Sequence, residues 1–201
     1  AFRFGVDRSR GWRSPIAEIM CRIKRWLFLW IALLMLAASG RALAHVPGFL
    51  WDAQLLESPY RLSGIGLRST ASYALLSPGQ THTYQLMVET APLELSVLTL
   101  PGETRLLEVT LIDPAGRETK LALVRQPVFE VFTQMRLVRI ARHQDTGVEP
   151  GPFVVRLTLP EGADSAPFKY VLATGGPERF GPLDVFKTPL WWLQAHLWAW
   201  W

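Results

Sequence analysis

Cysteine is almost missing from this chain: of 201 residues, only Cys21 carries a thiol. That excludes an internal disulfide framework and every metal site built on a cysteine cluster. Histidine is scarce as well, at four, so any metal chemistry has few ligands to draw on. There is no EF-hand loop, P-loop, dinucleotide fingerprint or H-E-x-x-H zinc motif. Ser63, in "LSGIG", and Ser165 sit in no nucleophile elbow. The carboxylate pairs Glu89 with Glu94 and Asp113 with Glu118 flank predicted turns. They read as solvated charge or, at Asp113, as a turn side chain bonding the local backbone. From Tyr60 to Thr174 no helical period is sustained over eleven residues or more, and no segment repeats closely enough for a solenoid or propeller.

The chain is also short of long apolar runs. The first, Trp26 to Ala38, has thirteen uncharged residues, fewer than a bilayer-crossing helix needs. Arg22, Lys24 and Arg25 precede it, Ser39 and Gly40 break it, and Ala42 and Ala44 follow. That order is the tripartite pattern of a secretory signal peptide over 20–44, with cleavage before His45. Residues 1–19 have no apolar period and read as an upstream extension. On this reading Cys21 leaves with the leader, which suits an oxidising extracytoplasmic compartment.

Charge divides at the same place. Residues 1–44 hold eight Arg/Lys against two Asp/Glu, whereas 45–201 hold thirteen against fifteen. The basic balance therefore belongs to the leader, and the remaining domain offers no overall basic footprint for nucleic acid.

What is present from Tyr60 to Thr174 is a series of short apolar runs punctuated by turns. In "THTYQLMVE", His82, Tyr84, Leu86 and Val88 share one strand face while Thr83, Gln85, Met87 and Glu89 take the other. "ASYALLS", "LELSVLTL", "TRLLEVTLID", "TKLALVR", "VFEVFT", "MRLVRIAR", "PFVVRLTL" and "FKYVLAT" continue the series, separated by "PGQ", "PGE" and "DPAGRE". This predicts an all-β, antiparallel sandwich of jelly-roll-like form over 45–174.

The succession "Y-x-x-L-x-P-G-Q-x-x-x-Y-x-L", "L-x-V-T-L-I-D-P-A-G", "G-P-F-V-V-R-L" and "Y-V-L-A-T" resembles the small sandwiches called pre-peptidase C-terminal domains, over roughly residues 70–174. Thr83 stands where those domains usually carry an acidic residue, so a ligand role tied to that position does not transfer. The block from "VFEVFTQ" to "YVLATGGPERFG" is also similar to a group of exported bacterial proteins. These share the sandwich, a "G-x-x-E-x-F" element and an apolar C-terminal segment. Both resemblances imply a fold and an extracytoplasmic address, not an activity.

The tail is the most distinctive segment. Five of the nine tryptophans fall in the last eleven residues, and Pro189 to Trp201 carries no charge. With 175–187 as a linker, Thr188 as cap and Pro189 in the first turn, a helix over 188–201 is expected. Its apolar part is about 20 Å long at 1.5 Å per residue, too short to span. Tryptophan prefers the membrane–water boundary, so Leu190, Trp191, Trp192, Leu197, Trp198, Trp200 and Trp201 are expected at a membrane interface or on a membrane-protein partner. The competing expectation folds the tryptophans back over an open end of the sandwich. In "MRLVRIARH", simple alternation puts Arg136 and Arg142 on one face and Arg139 on the other, making the first pair candidates for lipid headgroups or a partner.

The expected function is thus an exported, membrane-surface-associated binding or accessory module of the cell envelope. It would have no cofactor, and its partner would be a membrane surface, a membrane protein, another envelope protein or a glycan. The alternative is a copper protein. An N-terminal His45 would present imidazole and α-amino group together, the pair that chelates copper in the histidine brace of lytic polysaccharide monooxygenases. A second ligand would come from His82, placed in a strand, from His143, placed in a loop after one, or from His196.

Overall fold

The computed structural model describes residues 46–50, 59–130, 133–162, 165–175 and 182–200. The chain divides into two compact units, Ala1–Arg41 and Ala42–Trp201. The signal-peptide segment, His45 and Trp201 lie outside the described residues.

The described elements are, in chain order, β1 (Val46–Phe49), β2 (Tyr60–Ile65), β3 (Thr70–Leu76), β4 (Thr81–Val88), β5 (Leu93–Thr99), β6 (Glu108–Ile112), β7 (Glu118–Lys120), β8 (Leu123–Glu130), β9 (Met135–Asp145), β10 (Gly151–Thr158), β11 (Phe168–Thr174) and α1 (Pro182–Trp200). The strands form two sheets, one ordered β1-β3-β11-β5-β9-β8 and the other β2-β4-β10-β6-β7. The protein is an all-β sandwich. Its pairings are antiparallel except at two sheet margins, where β1 runs parallel to β3 and β2 parallel to β4. Purely antiparallel pairing is corrected to that extent. Both parallel strands precede the first predicted hairpin, so they reach their partners across the fold instead of through a tight turn.

The core lies between the sheets. Tyr84, Leu86 and Val88 of β4, Phe153, Val155 and Leu157 of β10, and Phe168, Tyr170 and Leu172 of β11 meet there. Alternation along β4 and β10 puts one face inward and leaves the other half-exposed. β3 and β11 differ, being buried along almost their whole length. Ala71 and Tyr73 of β3 and Val171 and Ala173 of β11 point away from the sandwich interior, into a second apolar cluster that includes Ala195 of α1. The six-stranded sheet is therefore covered on its outer face as well.

The turn at Asp113 forms as its side chain predicts. The carboxylate accepts from the backbone N–H groups of Ala115 and Arg117 at 2.9 Å each, and Arg117 adds an ion pair at 2.6 Å. Gly116 closes the turn with φ at +80°, a conformation glycine takes without strain.

Two expected segments are redrawn. "TKLALVR" is divided between β7 and β8, and β8 absorbs the start of "VFEVFT". The tail helix begins at Pro182, not Thr188, and Pro189 lies inside it.

Candidate functional site

The outer face of the six-stranded sheet holds the molecule's distinctive surface, and α1 is fixed to it by specific bonds. The Trp198 indole N–H donates to the Ala74 carbonyl at 3.1 Å, and its ring meets Tyr73 edge-on at 5.2 Å between centroids. Tyr73 in turn stacks on Phe49 of β1 at 4.9 Å. His196 Nε2 lies 2.9 Å from the Thr133 carbonyl in the β8–β9 turn. At the far end, the Lys169 ammonium of β11 donates to the Ala199 carbonyl at 3.0 Å. A helix leaves its last carbonyls unbonded and partly negative, and a cation there satisfies both features. The last turn of α1 contains no basic residue, so the sheet supplies one. Trp198 thus docks on a sheet face, not over an open end of the sandwich.

Docking consumes only one side of the helix. Ala195 is fully buried and Trp198 half-buried, whereas Leu190, Leu193, Leu197 and Trp200 are 55%, 48%, 48% and 88% exposed. Their spacing of three, four and three residues makes a continuous stripe on a 3.6-residue helix. Trp192 is exposed too, with its ring 4.0 Å from that of His196. Lys187 lies 6.0 Å over the Trp191 ring. Of the residues expected at an interface, Trp198 is corrected to a docking residue, and Leu193, an unremarked leucine, joins the outward stripe. A cavity of about 370 Å³, lined by Phe49, Leu50, Tyr73, Leu75, Gln194, Leu197 and Trp198, separates part of the helix from the sheet margin. No helix among the described residues is long and apolar enough to cross a membrane.

Beside the helix on the same face lies a second cleft, of about 270 Å³. Its floor is apolar, with Ala71, Leu98, Leu137, Val171 and Ala173, and its polar rim includes Glu94, Ser96, Glu130, Arg139 and Arg142. A β-bulge puts both arginines there. Val97 pairs with Ala141 and Leu98 with Arg139, so Ile140 is an extra residue in β9. The extra residue reverses the parity of everything after it. Ile140 and Ala141 both enter the inner core, and Arg139 and Arg142 share the outer face. The expected pairing of Arg136 with Arg142 is therefore corrected: Arg136 lies on the opposite face of the strand, paired with Phe129 of β8.

Each cleft arginine is held by an amide. Arg139 donates to Gln126 Oε1 at 2.9 Å and Arg142 to Gln144 Oε1 at 2.9 Å, while the Gln144 amide nitrogen donates to Glu94 at 2.9 Å. Burial, followed by the like charge of Arg142, lowers the pKa of Arg139. Gly175 closes the cleft beside Glu94. Its N–H donates to the Glu94 carbonyl at 2.7 Å, and a Cβ there would stand 2.3 Å from the Glu94 Cβ.

The histidines are dispersed. His82 is fully buried between the sheets, its Nδ1 sharing a hydrogen bond with the Tyr170 hydroxyl at 2.8 Å. The Tyr170 and Tyr84 hydroxyls are 2.6 Å apart, which extends the chain of polar atoms across the core. Desolvation lowers the His82 pKa to about 4 and raises that of Tyr84. His143 is within β9, paired with Leu95, not in a loop after a strand, and it belongs to the other sheet from His82. Among the described residues, no group of three or more His, Cys, Asp or Glu is arranged to hold a metal ion.

No protein-family model matches the chain, and no curated protein does. Among solved structures, it is similar to the pre-peptidase C-terminal domain of collagenase from Bacillus anthracis. The match is 17% identical, with a TM-score of 0.38, and covers 59% of this chain and 96% of that one.

Proposed function

We propose that this chain is an exported accessory binding module without catalytic activity of its own, which works at an extracytoplasmic membrane surface with α1 as its interfacial anchor. The observation that carries the reading is the outward stripe of Leu190, Leu193, Leu197 and Trp200 on a helix already fixed to the sheet. A docked helix with a second apolar face has surface left to bury, and fully burying a leucine-sized side chain is worth about 1.5–3 kcal/mol. Tryptophan at the stripe's end and Lys187 at its start match the chemistry of the membrane boundary. The signal-like leader supports export.

The test is co-sedimentation of the full chain with phospholipid vesicles. Wild type should sediment with them, and Leu193→Ser combined with Trp200→Ser should lower partitioning by more than about tenfold, given two large apolar groups removed from contact. Wild type left entirely in the supernatant would refute the anchor.

A further inference from the structure

We propose that the cleft beside α1 is a phosphate-binding site, in which Arg139 and Arg142 together hold the oxyanion of a phosphate ester. The proposal rests on the membrane-surface reading for its choice of ester, a phospholipid headgroup, but the site itself stands on its own geometry.

Three features point to an anion. Both guanidinium groups are positioned by neutral amides, Gln126 and Gln144, and neither forms an ion pair with a carboxylate among the described residues. Their charge is thus fixed in place on one side of a concave surface, where Glu94 acts on Arg139 through space and not through a hydrogen bond. Arg139 Nε is a buried donor with no hydrogen-bond partner, and such a donor costs free energy until something accepts from it. The two like charges also face the same cleft because of the Ile140 bulge. Bulges recur where a strand must re-aim a side chain.

The choice of phosphate over carboxylate follows from the number of acceptors. One carboxylate is satisfied by the fork of one arginine. Two guanidinium groups held by separate amides offer more donors than the two oxygens of a carboxylate match in one plane, and a tetrahedral phosphate ester supplies three acceptor oxygens in different directions. The apolar floor of Ala71, Val171 and Ala173 suits the ester's carbon portion. Glu94 is kept from the anion by its bond to the Gln144 amide, whose own oxygen orients Arg142. Cleft and anchor lie on the same side of the same sheet, so a headgroup is the source of phosphate nearest to hand.

The test uses the full chain. Glycerol 3-phosphate is titrated calorimetrically into wild type, Arg139→Gln/Arg142→Gln and Leu193→Ser/Trp200→Ser. The same proteins are co-sedimented with phosphatidylcholine vesicles containing phosphatidylglycerol. Wild type should bind the free ester, and the arginine variant should lose that binding by at least about tenfold per guanidinium removed. The same variant should partition more weakly to the vesicles. The stripe variant should bind the ester normally while losing the vesicles. Vesicle binding unchanged in the arginine variant, with no ester binding by wild type, would overturn the site and leave the anchor standing. Ester binding without vesicle binding would keep the site, assign it a soluble ligand and remove the anchor. Binding of succinate in place of the ester would overturn phosphate in favour of carboxylate. Should the glutamine variant fail to fold, Arg139→Lys/Arg142→Lys keeps the charge and removes the forks, and wild-type ester affinity in it would overturn the bridging arrangement.

Discussion

Acid should destabilise this protein through one buried side chain. His82 is fully buried, with a pKa lowered by desolvation from 6.5 to about 4. Above pH 6.5 it is neutral both folded and unfolded, and contributes no pH dependence. Between pH 6.5 and 4 the unfolded chain takes up a proton that the folded one refuses, so stability falls as pH falls. One pKa unit is worth about 1.36 kcal/mol, which makes the loss about 3 kcal/mol by pH 4, with a plateau below. That is a large fraction of the ~5–15 kcal/mol that holds an ordinary domain together. The assay is urea unfolding followed by tryptophan fluorescence at half-unit steps from pH 7 to pH 4, on wild type and His82→Leu. Leucine removes the titration and the partnerless Nε2 while Tyr170 keeps its bond to Tyr84. Subtracting the two curves cancels the carboxylates that titrate in both. The difference should move by about 3 kcal/mol in favour of the variant on acidification. Parallel curves, within about 0.5 kcal/mol, would show that the folded core accepts the charge and would refute the argument.

Two further perturbations test the packing. Trp198→Ala removes the bond to the Ala74 carbonyl and the edge contact with Tyr73. It should undock α1 at a cost of about 2–4 kcal/mol, read as lost amide-exchange protection over 190–199 with the strands unaffected. Protection retained along the helix would show that Ala195, His196 and Lys169 suffice. Gly66→Ala places a Cβ 2.1 Å from the Thr90 carbonyl oxygen at a residue whose φ is +88°. It should lower the melting temperature by more than the ~1 kcal/mol typical of such sites, and an unchanged melting temperature would mean that the segment relaxes freely.

How much of this could be read from the residues depends on whether local order decided it. The inner face of β4 was legible because His82, Tyr84, Leu86 and Val88 alternate with polar residues, and a period of two on a half-buried strand has one interpretation. The turn at Asp113 was legible because the carboxylate bonds its own neighbours. The pairing of β1 and β2 was not: "VPGF" lacks alternation, "YRLSGI" has it, and both gain their partners only by parallel pairing with distant strands. The bulge was invisible for a related reason. "MRLVRIAR" breaks alternation at Leu137-Val138 and again at Ile140-Ala141, so its order does not place the extra residue, and only the register against β5 shows that Ile140 is surplus. One signal did exist for the docked helix. "ASYALL" in β3 and "YVLAT" in β11 are continuous rather than alternating, which is how strands covered on both faces read. That pattern implies a cover over the outer face, and the apolar tail was the segment able to provide it.

The docking of α1 also changes what kind of object the tail is. Taken alone, Leu190 to Trp200 has no polar side to speak of, and such a peptide in water collapses on itself or on its neighbours. Once Trp198, Ala195 and Ala199 are spent on the sheet, the remaining stripe has a direction, because the sandwich behind it acts as the hydrophilic half. The amphipathic element is therefore the whole domain, with the strands as its polar face and the helix as its apolar one. A segment with no built-in sidedness acquires one by folding, and loses it again whenever the sheet lets go.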